Sequence, residues 1–201
     1  MSFAVGMRAA FSSRWRSGDI DLIGSFRKES AEVLYSSRGI GDVSKADIEE
    51  LKTLAAANPR KRVRLCAHRH TGDALHEMLI VHERSAYVRP HKHPGKSEST
   101  HVIEGEVDVV VFSDDGEIVK ILACGEVNSG RTFYYRMAEP AFHSLIIRSP
   151  VLVFHETTNG PFHRADTVFA EWSPAEADME GVGSFVRDLH VRVAQKQAQA
   201  R

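Results

Sequence analysis

Between residues 76 and 158 the chain is cut into short apolar or alternating runs by turn residues, and this punctuation limits its fold more than any other feature. Residues 76–82, 106–112, 118–122, 133–136 and 151–157 read as strands. Pro94-Gly95-Lys96-Ser97, Ser113-Asp114-Asp115-Gly116 and Asn159-Gly160-Pro161 supply the turn chemistry that ends them. Many short strands with no helical period between them predict an all-β sandwich or barrel. A helix is expected before this region: Ser44 caps it, Asp47 approximates a capping box, Ile48, Leu51, Leu54 and Ala55 share a face, and Asn58-Pro59 ends it. A second is expected from about Glu180, where Phe185, Val186, Leu189 and Val193 are spaced for one apolar face. Its last residues, 195–201, have little to bury and are expected to fray.

These elements divide the 201 residues into an N-terminal extension, partly disordered (1–43), one β-domain (44–176) and a helical tail (177–201). Residues 1–17 carry Arg8, Arg14 and Arg16 without an acid. They superficially resemble a transit peptide, and a disordered leader or an upstream start codon is the preferred reading. A formal net charge of −1 gives no electrostatic case for nucleic-acid or membrane partners, and no apolar run approaches the roughly 20 residues of a membrane span. Cys66 and Cys124 form neither a disulfide framework nor a paired-thiol metal site, which suits a reducing cytoplasm.

Chemistry concentrates in Tyr87-Val88-Arg89-Pro90-His91-Lys92-His93-Pro94-Gly95-Lys96-Ser97-Glu98. Side chains at i and i+2 of a strand share a face, so His91 and His93 project together. The chain turns and returns with Glu98. Two imidazoles and a carboxylate from neighbouring strands are ligand chemistry for a divalent transition metal. A lone His-x-His pair is often a surface feature; here the spacing to Glu98 and then Gly105 adds to it. By parity, Tyr87 and Arg89 face the same side as the histidines, and His101 faces outward.

The pattern His-x-His, four residues, Glu, six residues, Gly resembles the first motif of the cupin superfamily. That resemblance implies a small cupin-like β-barrel (a double-stranded β-helix or jelly roll) with the N-terminal helix and C-terminal helical tail outside it. It implies ligand roles for His91, His93 and Glu98 and a turn role for Gly105. The histidine of the second cupin motif is then His143, ahead of His155 and His163; Ala138, Pro140 and Ile147 depart from the residues that usually surround it. Residues 44–176 look like the WbuC-type cupin-fold metalloproteins. The likeness rests on the Arg-rich strand ending at His68, the 87–105 stretch, Phe154-His155-Glu156 before Asn159-Gly160-Pro161, and Phe169-Ala170-Glu171-Trp172-Ser173-Pro174. It implies sugar or sugar-nucleotide chemistry of the kind found in surface-polysaccharide gene clusters; the wider cupin resemblance implies a homodimer.

The expected cofactor is one divalent transition metal (Fe, Ni, Zn or Mn), the expected partner a small-molecule substrate. Glu156 is a candidate base if it faces inward with Leu152 and Phe154. Tyr87, Phe142 and Phe154 are expected to wall the pocket. Arg89 is expected either to hold a substrate anion or to support the metal ligands from behind. Arg64 and His68 either do the same at the mouth or belong to a solvated basic edge strand. A metal-dependent enzyme, a non-catalytic binding module and a metal-free isomerase or epimerase all fit these residues.

Overall fold

The computed structural model describes residues 26–37 and 39–199; the reading of residues 1–17 lies outside them. Seven strands form one sheet: β1 (Phe26–Lys28), β2 (Val33–Ser36), β3 (Arg62–Cys66), β4 (Leu75–Glu83), β6 (Glu98–Glu104), β9 (Tyr134–Met137) and β11 (Val151–Asn159). Their order is β1-β2-β3-β4-β11-β6-β9. The second sheet has β5 (His91–Lys92), β7 (Glu106–Phe112), β8 (Ile118–Gly125), β10 (Phe142–Ile147) and β12 (Val168–Phe169), ordered β12-β5-β10-β7-β8. All pairings are antiparallel except β2 with β3. From β4 onward the chain alternates between the sheets, broken only by the β7–β8 hairpin. That winding is a double-stranded β-helix.

The corner from β6 to β7 is Gly105, at φ +90°, where a Cβ would run into the Val151 carbonyl oxygen. Only glycine fits both demands. The Asp115-Gly116 hairpin likewise places Gly116 at φ +90°.

Alternation along the strands sorts side chains into three layers. Between the sheets lie Tyr35, Cys66, Met78, Ile80, Val102, Val109, Leu152 and Phe154. The outer face of the seven-stranded sheet offers Val63, Leu65, Val81 and Val153, covered by Leu51 and Ala55 of α1 (Lys45–Ala57). Ser44 and Asp47 close the capping box at its start. The outer face of the other sheet packs Val110, Phe112, Phe142 and Ile146 against Leu189 and Val193 of α2 (Met179–Gln199). Each of those two buried side chains contributes about 1.5–3 kcal/mol.

Two expectations change. The sheet begins upstream of residue 44, because β1 pairs with β2 and β2 with β3, so β3 is not an edge strand. The tail does not fray at 195: α2 runs to Gln199, and Gln197 Nε2 donates to the buried Asp108 carboxylate at 3.1 Å, beside Arg148 at 2.6 and 2.9 Å. Polar side chains, invisible to an apolar pattern, hold the last turns. Among the described residues no helix is long and apolar enough to cross a membrane.

Candidate metal centre

His91 and His143 are direct cross-strand partners on β5 and β10, so their rings meet, with centroids 4.5 Å apart. His93 follows in the loop, 4.9 Å from His91 and 6.2 Å from His143. Glu98, the first residue of β6, faces them from the opposite sheet: its carboxylate oxygens lie 3.1 Å from His143 Nε2 and 3.7 Å from His93 Nε2. Glu98 and His143 are buried. The mouth above them is lined by Lys96, Met137, Glu139, Pro140 and Ala141. Among the described residues no three or more His, Cys, Asp or Glu side chains stand where they could hold a metal ion together. The four gather at one point without closing on it.

Each ring is held from behind. His91 Nδ1 contacts Arg89 O at 2.8 Å, His143 Nδ1 contacts Ala141 O at 3.0 Å, and His93 Nδ1 contacts Asp166 O at 3.2 Å. A carbonyl oxygen only accepts, so each Nδ1 carries the proton, and in a neutral ring the lone pair is on Nε2. Burial is the first cause that lowers all three imidazole pKa values and keeps the rings neutral. Two of these lone pairs then face carboxyl oxygens, and either a proton on Glu98, whose pKa burial raises to about 7, or a cation between them relieves the contact. A proton serves one contact; a divalent cation serves both. Separations of 3.1 and 3.7 Å bracket the roughly 3.3 Å between ligand atoms around a tetrahedral ion with ~2.0 Å bonds. In kind, though not in the placement of the side chains, the donor set suits a transition metal.

Other predicted residues fall on both sides of the wall. Glu156 pairs with Thr100 and Met78 on the inner face, while its neighbour His155 turns outward, 4.0 Å from Glu77. Burial, then the negative charge of Glu98, raises the Glu156 carboxyl pKa, and Arg64 pulls it back. Burial also raises that of Glu98. Phe154 lies on the same inner face. Arg64 pairs with Ile80 on that face and stays exposed. His68 stands at the same end of the sheet, stacked on His76 with centroids 4.0 Å apart. His163 is exposed.

Three expectations are corrected. Phe142 neighbours His143 and so points to the opposite face, into the layer under α2, 5.9 Å from Trp172. Tyr87 donates its hydroxyl to Pro174 O at 3.1 Å. Arg89 donates to Ser173 Oγ, Ser173 O and Ala170 O at 3.1, 3.1 and 3.2 Å. Both clip the 170–174 segment to the barrel. Strand parity fails at 87 and 89 because residues 86–90 are a crossing between the sheets, not a strand. Sequence reasoning missed Lys96, whose position inside the motif loop was a usable signal. It also missed Asp166, for which the sequence holds none.

A double-stranded β-helix with three histidines and a glutamate gathered between its sheets is the fold class the sequence implied. Within it, the family model that matches is a domain of unknown function, DUF6016, over residues 43–123, less than half of the chain. The narrower WbuC-type likeness is not part of that match. No curated protein matches the sequence. Similar solved structures include a protein of Shewanella oneidensis, 8% identical at TM-score 0.45, covering 53% of this chain and 72% of that one. An uncharacterised conserved protein with a double-stranded β-helix domain from Klebsiella pneumoniae is 16% identical at TM-score 0.41, covering 55% and 84%. Oxalate decarboxylase from Bacillus subtilis is 18% identical at TM-score 0.40, covering 49% of this chain and 24% of that one.

Proposed function

We propose that this chain is a metal-dependent cupin enzyme acting on a small polar substrate with an anionic group. The observation that carries the reading is the pair of Nε2 lone pairs, on His93 and His143, aimed at the Glu98 carboxylate. His91, His93, His143 and Glu98 would hold one divalent ion. When bound, it would polarise a carbonyl or hydroxyl oxygen of the ligand. Glu156, on the same inner face and kept protonated more readily than an exposed carboxyl, is the proton donor or acceptor. Phe154 walls the interior, and Arg64, with no side-chain partner among the described residues, takes the substrate's negative end, beside His68. A sugar or sugar nucleotide meets this pattern of hydroxyls and charge, in keeping with the polysaccharide chemistry that the WbuC-type likeness implies.

The test is elemental analysis of untagged protein, paired with a thermal-shift screen of nucleotide sugars and small carboxylates. Glu98→Gln is expected to lose metal with its far-ultraviolet spectrum unchanged. Arg64→Ala is expected to keep metal and lose the shift given by anionic ligands. Wild-type protein that takes up no divalent metal would end the proposal.

A further inference from the structure

The residue that most firmly joins the motif loop to the rest of the chain is neither a ligand nor part of the proposed chemistry. Lys96 is only 12% exposed at its side chain. Its ammonium group has three acceptors: Pro161 O at 2.6 Å, Asn159 O at 3.0 Å and the Asp166 carboxylate at 3.1 Å. An ammonium has three N–H donors, so this one is saturated and has nothing left to offer a substrate.

Asn159 is the last residue of β11, and the other two acceptors belong to the segment that leads from it to β12. That segment is fixed at both ends. At Gly160 a Cβ would collide with Asp73 O, Gly160 N donates to Ala74 O at 2.9 Å, and Phe162 N donates to Thr71 O at 2.7 Å. At the other end Val168 and Phe169 pair with Lys92 and His91. Between these anchors Arg164–Asp166 form a single 3-10 turn, and here Asp166 does two things. Its carboxylate meets Lys96, and its carbonyl oxygen receives His93 Nδ1 at 3.2 Å, with Thr167 Oγ1 3.4 Å from the same nitrogen. The tautomer and aim of His93 therefore depend on where residue 166 sits, and Lys96 sets that position.

We infer that Lys96 is a positioning residue of the metal centre, acting on His93 through Asp166. This rests on the proposed metal-binding reading. Groups that orient a ligating imidazole typically change metal affinity by about 10–100-fold when removed. The experiment is a competition titration of the full chain with cobalt(II) against a chelator. The visible absorption of bound cobalt(II) is recorded as a signature of the ligand set, and urea unfolding of the metal-free protein is followed alongside.

Lys96→Met is expected to weaken cobalt(II) binding by about 10–100-fold and to alter the visible band. Asp166→Asn should move both in the same direction, and the double variant should bind no more weakly than Lys96→Met alone, because one ion pair links the two sites. If Lys96→Met does not fold, Asp166→Asn carries the test. Lower metal-free stability with wild-type affinity and spectrum would show a purely structural lysine and overturn the inference alone. Wild-type protein that binds no cobalt(II) would overturn the metal-binding reading as well.

Discussion

His82 gives the sharpest test of how the barrel interior treats charge. It sits on the inner face of β4, 8% exposed, between Arg62 and Leu152 on the neighbouring strands and edge-on to Phe154 at 5.5 Å. Its Nδ1 has no hydrogen-bond partner among the described residues. Burial first, then the positive charges of Arg64 and Arg60, push its pKa down to about 4. The unfolded chain holds this group near 6.5. The folded state thus refuses a proton that the unfolded state accepts. Stability is full above about pH 6.5, falls as pH drops through that window, and levels off below the folded value. For a gap of about 2.5 units the loss from this one residue is roughly 2 kcal/mol by pH 5 and about 3 kcal/mol by pH 4. The measurement is urea unfolding of wild type and His82→Leu at matched pH values between about 7 and 4. Other histidines with lowered pKa values are common to both proteins, so they cancel in the difference. The wild-type curve is expected to fall more steeply, the two separating by about 3 kcal/mol across the range. Parallel curves would show that His82 takes up its proton freely in the folded state, and the reasoning from burial would fail.

Arg89→Ala removes three hydrogen bonds to the 170–174 segment and is expected to cost about 2 kcal/mol, with faster proteolysis near Trp172 and metal content unchanged. Loss of ligand binding with intact stability would return Arg89 to the pocket. Gly105→Ala places a Cβ against Val151 O at a positive φ and is expected to cost at least about 2 kcal/mol by urea unfolding; an unaltered midpoint would show that the corner relaxes.

The gathering of His91, His93, Glu98 and His143 was legible because its parts are local. Two histidines two residues apart and a glutamate on the returning strand obey the period of a strand, and His143 heads an apolar one. Phe142 was misplaced by the same rule applied too loosely, since a neighbour of an inward residue on a strand must face outward. Tyr87 and Arg89 were misplaced because parity does not survive a crossing between sheets. β1 and β2 are short and mixed in polarity, Phe-Arg-Lys and Val-Leu-Tyr-Ser, and owe their strand form to pairing with each other and, through β2, with β3. Asp166 meets His93 across 73 residues of sequence through a backbone oxygen, which leaves no trace in residue type.

Both sheets are covered on the outside, one by α1 and the other by α2. The molecule is therefore held by three apolar layers, and the innermost, with Met78, Ile80, Val102, Leu152 and Phe154, shares its rows with Arg64, Thr100 and Glu156. A substitution in those rows disturbs packing and charge together, whereas one beneath either helix reaches the interior only through the sheet it leans on.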